Sequence, residues 1–399
     1  MCAVAPAAAA TSGPSAIELA DIVRAHGDVY RHTHRLAPVQ HAALQAIATC
    51  RTAALGGHTE TCDHCGTTRH AYNSCRNRHC PKCQHAKQTA WLEARQAELL
   101  PIPYFHVVFT LPHALNALAQ GNPRILYHAL FRAAADTLLT FGRDPRHLGG
   151  TIGVTAILHT WGQNLSQHLH LHCVVTGGAL AADGTHWIAA KDGFLFPVRA
   201  LSVVFRAKYL DALRQAFDQQ HLTFAAGTAE LAEANAFAHF TAHLRAEPWV
   251  VYAKRPFGGP AQVLRYLGRY THRVAISNAR LVDLHEWTVR FRWKDYADND
   301  RTKVMALAAE EFLRRFLLHV VPHGFVRIRY FGLLANGRRR SSLGHCRALL
   351  DVPAPRAAPD VGPGDTPPPD PHRCPVCRIG TMLITAVQRR PRRSRDDTS

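Results

Sequence analysis

The stretch that decides the fold is LHTWGQNLSQHLHLHCVVTGG, Leu158 to Gly178. At its centre His168, His170 and His172 alternate with Leu169 and Leu171, and Val174 and Val175 follow. A strand turns its side chains to opposite faces with a period of two, so the three imidazoles share one face. Three histidines on one side of a core strand are costly to bury unless they bind something, and neutral imidazoles on a divalent ion leave positions open for phosphate oxygens. The preceding GVTAILHTW is predicted as a second strand, joined to the histidine strand by about six residues.

Outward from this pair, YFHVVFTLP (Tyr104 to Pro112) reads as a strand ended by proline. NPRILYHALFRAAADTLLTF and LSVVFRAKYLDALRQAF read as helices by their three-to-four spacing of apolar residues. VRFRWKDY reads as a strand before a hairpin-like turn, ADND. Strands and helices that alternate irregularly predict an α+β sheet domain.

Residues 261 to 273, AQVLRYLGRYTHR, are predicted as a helix. Tyr266 and Tyr270 stand one turn apart on one face, with Gln262 one turn earlier in the same row. Arg265, Arg269 and Arg273 form the adjacent row. Taken alone this is an amphipathic helix with half-buried tyrosines; beside a histidine strand it is a candidate nucleophile site. A tyrosine with its pKa near 10 is a poor nucleophile at neutral pH. It can attack a phosphodiester if a metal polarises the phosphate and arginines stabilise the developing charge.

Two knuckles, Cys62-x2-Cys65 and Cys80-x2-Cys83, are separated by 14 residues. Together they are predicted to form one structural Zn²⁺ site, since each short turn can place two sulfurs on one ion. Cys75, His79, His64, His70 and His85 lie in the same stretch, so one of them could replace a cysteine or a second ion could bind. Arg76, Arg78 and Lys82 in CRNRHCPKCQ offer phosphate contacts. A third pair, Cys374 and Cys377, is half a zinc site, with Cys346, His345 or His372 as candidates to complete it.

The chain has 399 residues and a net charge of +18, which suits a polyanionic partner such as nucleic acid. Of its 47 basic side chains seven are lysine and 40 arginine, the residue that forks onto phosphate oxygens. Composition divides the chain into a low-complexity lead-in (1–18), a Cys- and His-rich domain (19–100), a main domain (101–335), a basic then Pro-rich linker (336–373) and a short tail (374–399) with a CxxC pair and RRPRRSR. No apolar run approaches a membrane span and the Ala-rich start does not read as a signal peptide, so a cytoplasmic, nucleoid-associated protein with reduced cysteines is expected.

The histidine strand, the helix YLGRYTHRVAIS, the cysteine string NSCRNRHCPKCQ and the late segment VRIRYFGLLANGRR together resemble the insertion-sequence-91 family of rolling-circle transposases, themselves similar to the wider HUH endonucleases. The resemblance covers about residues 20 to 345. One position departs from it: the family pattern HPHLH has proline where this chain has Leu169, which leaves His170 and His172 as the matching pair. The resemblance implies an HUH-type nuclease core, an antiparallel sheet with flanking helices, preceded by a small zinc-binding domain. It implies Mg²⁺ or Mn²⁺ on His170 and His172, with Gln262 as a geometric candidate for the third ligand. It further implies that Tyr266 or Tyr270 attacks single-stranded DNA and stays joined to the 5′ side. The bond energy would be kept in the phosphotyrosine, in agreement with the lack of a Walker-type motif. A plasmid replication initiator or relaxase would share this chemistry, but the amino-terminal cysteine module favours a transposase. A non-catalytic zinc-containing DNA-binding regulator would explain the charge and the cysteines, not HLHLH together with YxxxY.

Overall fold

The computed structural model describes residues 17–191, 193–225, 227–254, 262, 268, 275–352, 370 and 372–391. In chain order the amino-terminal part comprises α1 (Leu19–Thr33), α2 (Pro38–Thr49), β1 (Gly57–Cys62), β2 (Thr68–Tyr72) and α3 (Pro81–Gln96). The central part follows with β3 (Tyr104–Thr110), α4 (Asn116–Gly121), α5 (Pro123–Arg143), β4 (Gly150–Thr151), β5 (Gly153–Trp161), β6 (Gln167–Thr176), β7 (Gly178–Ala181), β8 (Trp187–Ala189), α6 (Val198–Asp218), α7 (Ala234–Ala246) and β9 (Val251–Lys254). Beyond it lie β10 (Leu281–His285), β11 (Thr288–Asp295), β12 (Arg301–Ala308), α8 (Ala309–Leu317), β13 (Ile328–Gly332), α9 (Arg339–Leu349) and β14 (Met382–Gln388).

The largest sheet is five-stranded and antiparallel, in the order β13-β5-β6-β3-β9. Its two faces follow from the alternation in the sequence. Phe105, Val107 and Phe109 of β3, Val154, Ala156 and Leu158 of β5, and Leu169, Leu171, Cys173 and Val175 of β6 share one core with Phe131 and Leu138 of α5 and Phe205 and Tyr209 of α6. The intervening residues face the other way. There Ile157 and Val174 lie in a second cluster with Leu100, Ile102, Leu343 and Cys346, packed against Trp91 of α3. The α+β fold, with helices flanking an antiparallel sheet and a cysteine-rich module ahead of it, is the one expected.

The cores cross the compositional divisions. Helices α1 and α2 are packed with Val289 and Phe291 of β11 and with Phe312, Leu313 and Phe316 of α8, so residues far apart in sequence share one interior. The basic stretch expected as linker begins with α9, whose Leu343 and Cys346 stand one turn apart on a face buried under the sheet. Its charged residues hide that periodicity from composition. The Pro-rich 353–369 lies outside the described residues. The tail is not an appendage: β14 pairs antiparallel with the edge of β1, completing a three-stranded sheet β14-β1-β2. Among the described residues no helix is long and apolar enough to cross a membrane.

Candidate metal centre and DNA-facing surface

β6 presents His168, His170 and His172 on the face away from α5 and α6, as its period requires. The register of the sheet adds a residue that sequence spacing did not single out. His159 of β5 pairs directly with His170, and Ile157 with His172, so His159 stands on the same face. One ligand nitrogen from each of His159, His170 and His172 lies within 4.8 Å of the others, the geometry of a three-imidazole divalent-ion site. The predicted third ligand, Gln262, is helical and exposed. His159 escaped the sequence reading for a simple reason: it joins this face by cross-strand pairing, and pairing is invisible in a single strand.

The rings are held for coordination. His170 Nδ1 donates to the His168 carbonyl at 2.8 Å, which leaves Nε2 with its lone pair. His172 Nδ1 and His106 Nε2 share a proton across 2.7 Å, and their rings stack 5.0 Å apart. His106, on β3, thereby plays the orienting part that outer-shell groups play around metal-bound imidazoles. Burial pushes the pKa of His170 down to about 3 and that of His172 well below its ordinary value, with His168 and His159 respectively adding repulsion. Both are neutral at working pH, the form that binds a cation.

Trp161 stacks on His159 at 4.5 Å, and the Arg327 guanidinium lies over the same indole, 5.9 Å from its centroid. Burial and the nearby Arg78 hold Arg327 down to about 10. Arg78, from the cysteine module, donates to the Phe325 carbonyl. Two guanidiniums, that of Arg327 partly buried, stand beside the histidine cluster, an arrangement that favours an anion. Arg327 lies in the late segment VRIRYFGLLANGRR, although the sequence alone did not single it out. Of the other predicted DNA contacts, Arg76 is exposed, while Lys82 is already paired with Glu18 at 2.7 Å.

Tyr266 and Tyr270, with Arg265, Arg269 and Arg273, lie outside the described residues. Gly268, between the tyrosines, is described. Its carbonyl accepts from Gln88 of α3, and a Cβ added there would meet Leu92 Cδ1 at 2.6 Å, so glycine is what permits this approach. The same helix α3 reaches the sheet through Trp91, whose indole N–H donates to the Tyr330 hydroxyl of β13 at 3.0 Å.

The cysteines form two groups, not one. Cys50, Cys75, Cys80 and Cys83 converge, with Sγ separations of 3.5 Å for Cys50–Cys83, 3.5 Å for Cys75–Cys83 and 3.6 Å for Cys80–Cys50. A tetrahedral zinc with bonds of about 2.3 Å requires sulfurs about 3.8 Å apart, so the donor set fits zinc. Cys80 caps α3 and Cys83 lies in its first turn, where the helix dipole favours thiolate. Hydrogen bonds from neighbouring thiols, first from Cys75, pull Cys80 down to about 5. Cys62 and Cys65, predicted to share an ion with Cys80 and Cys83, instead face Cys374 and Cys377. Each x2 turn does bring its two sulfurs together, but the fold sends the two knuckles to different partners. His345 and Cys346 are engaged elsewhere, His345 with the Gly184 carbonyl and Cys346 in the core under the sheet.

An antiparallel-sheet core bearing a three-histidine cluster, joined to a cysteine-rich module, defines a class: an α+β protein with zinc-type cysteine groups and a histidine cluster able to hold a divalent ion. Comparison with known proteins narrows it. A family model described as "Putative transposase" matches residues 153–342, and one described as "Transposase zinc-binding domain" matches residues 22–111. "Putative transposase y4qJ" of Sinorhizobium fredii is 53% identical, over 95% of this chain and 96% of that protein. The transposase for insertion sequence element IS801 of Pseudomonas savastanoi pv. phaseolicola is 28% identical, over 86% of this chain and 82% of that one. The chain belongs to this family, the transposases of the insertion-sequence-91 and IS801 type. The conjugative relaxase TrwC in complex with a 27-mer DNA aligns over 35% of this chain and 71% of its own, at 14% identity and a TM-score of 0.23. Likeness at that level carries no weight for the chemistry.

Proposed function

We propose that this transposase nicks and rejoins single-stranded DNA through a 5′-phosphotyrosine intermediate, in rolling-circle transposition of an insertion sequence. The observation that carries the reading is the cluster of His159, His170 and His172, with the Nδ1 atoms of the latter two tied to a carbonyl and to His106. Mg²⁺ or Mn²⁺ held there would polarise the scissile phosphate. Tyr266 or Tyr270 attacks phosphorus through its phenolate oxygen. The bond from phosphorus to the 3′ oxygen breaks, and that oxygen leaves as a 3′-OH after gaining a proton. The tyrosine stays esterified to the 5′ phosphate, and a later attack by a 3′-OH reverses the exchange, so no nucleotide cofactor is consumed. Gly268, between the two tyrosines in sequence, contacts α3, which itself bonds to β13.

Arg327 and Arg78 are assigned to a phosphate of the bound strand near the scissile one, and the Arg265, Arg269 and Arg273 row to charge developing at the tyrosines. The protein acts on DNA in the cytoplasm, at the nucleoid. Zinc in the cysteine module is structural.

The test is metal-dependent nicking of a labelled single-stranded transposon end. His159→Ala and His170→Ala are expected to abolish cleavage while leaving most DNA affinity, because arginines supply the salt-sensitive part of binding. Full cleavage by the His159→Ala, His170→Ala double variant in magnesium would reduce the histidines to packing. Tight DNA binding by the wild type with no cleavage in any divalent ion would favour a non-catalytic regulator.

A further inference from the structure

We propose that Cys62, Cys65, Cys374 and Cys377 form a second tetrathiolate zinc site that locks the carboxyl-terminal strand onto the amino-terminal module. The family's zinc-binding region ends at residue 111, so half of this donor set lies outside it. Sγ of Cys62 lies 3.7 Å from that of Cys377, and Sγ of Cys65 lies 3.7 Å from that of Cys374, close to the about 3.8 Å edge of a ZnS₄ tetrahedron.

Independent features of the backbone prepare the sulfurs for a cation. The Cys65 N–H donates to Cys62 Sγ at 3.5 Å, and the Gly380 N–H donates to Cys377 Sγ at 3.4 Å, one such bond in each knuckle. N–H donors aimed at sulfur stabilise thiolate over thiol. The knuckles are also tied to each other, since Thr381 N donates to Asp63 Oδ1 at 2.8 Å and Asp63 N donates to the Thr381 carbonyl at 3.1 Å. Gly380 is required for this docking: a Cβ there would stand 2.6 Å from Cys62 Sγ and 2.6 Å from the Cβ of His64.

What the site does follows from how little else holds β14. Met382 is buried, but Leu383, Ile384 and Val387 are 51%, 61% and 73% exposed. Among the described residues, the apolar cluster that the segment joins consists of Met382 and the cysteines themselves. A small edge strand with a single buried apolar side chain is marginal by itself. The metal therefore supplies the core that the strand lacks, as in small zinc modules generally. Binding of Zn²⁺ by four thiols releases four protons and leaves a site of charge −2. The strand continues directly into RRPRRSR, residues 389 to 395, and Arg390 lines a groove with His41, Thr49 and Cys75. The second zinc thus fixes Arg390, at the start of this basic segment, beside the amino-terminal module, and its loss would release that contact.

The test uses the full-length chain. Zinc is measured by elemental analysis in the wild type, in the Cys374→Ser, Cys377→Ser double variant and in Cys65→Ser, whose side chain is exposed and whose replacement strains no packing. Hydrogen exchange across 382–388 is followed in parallel. Two zinc ions per chain are expected in the wild type and one in each variant, with protection of β14 lost and protection of α1 and α2 kept. Unchanged zinc content in the variants, one zinc in the wild type, or β14 protection that survives metal loss would each overturn the proposal. The readouts involve no DNA, so they stand apart from any test of strand cleavage.

Discussion

Replacing His106 by leucine isolates the part played by the group behind the proposed metal centre. His106 is 3% exposed, and its Nε2 faces His172 Nδ1 at 2.7 Å. Leucine fills much of the same volume but offers no acceptor, so the His172 ring loses the contact that keeps its proton on Nδ1 and its lone pair on Nε2. Loss of such an orienting partner weakens metal binding by about 10- to 100-fold, equivalent to about 1.4 to 2.7 kcal/mol. The effect is read by titrating Mn²⁺ into the protein calorimetrically and by following nicking against Mn²⁺ concentration. The half-saturating concentration should rise by that factor, and the rate at saturating Mn²⁺ should return to within a few-fold of wild type. His106→Gln, which restores an acceptor, should recover part of the affinity. A folded leucine variant that binds Mn²⁺ as tightly as wild type would refute the orienting role.

Three further outcomes are expected. Burial holds His319 at about 4 and His79 at about 3, both below the ordinary 6.5 of the unfolded chain. The stability they contribute is therefore full above pH 6.5 and is lost as pH falls towards 4 and 3; for His319 that is up to about 3 kcal/mol. Urea midpoints between pH 7 and 4 should fall accordingly, and His319→Phe should flatten part of the slope. Phe312, fully buried and 5.8 Å from Phe291, joins α8 to the amino-terminal helices, so Phe312→Ala should cost about 3 to 5 kcal/mol in chemical unfolding. Gly268→Ala should cost about 1 to 3 kcal/mol by crowding Leu92, and Leu92→Ala in the same chain should recover part of it, a non-additive pair in a double-mutant cycle.

Local periodicity carried much of the fold. GVTAILHTW became β5, Gly153–Trp161, and the helix drawn from NPRILYHALFRAAADTLLTF appears as α5, because each segment has a long run with one unambiguous period. The histidine face was legible for the same reason. His159 was not, since it joins the face through the register between β5 and β6, a non-local property. The cysteine knuckles show the same limit. An x2 spacing fixes which two sulfurs share a turn, but only the fold decides that Cys62 and Cys65 meet residues more than 300 positions away, or that Cys50 and Cys75 complete the other group. The pair Arg78 and Arg327 likewise emerges only where the cysteine module and the strand after α8 come together.

The central claim is the covalent tyrosine intermediate, and trapping it tests that claim directly. Wild-type protein is incubated with a 5′-labelled and, separately, a 3′-labelled single-stranded transposon end in Mn²⁺, then resolved under denaturing conditions. The account requires an adduct that survives denaturant, carries the label on the side 3′ of the nick, and disappears in the Tyr266→Phe, Tyr270→Phe double variant while DNA binding persists. An adduct of wild-type yield in that double variant, or cleavage that leaves no protein on the DNA, would contradict it.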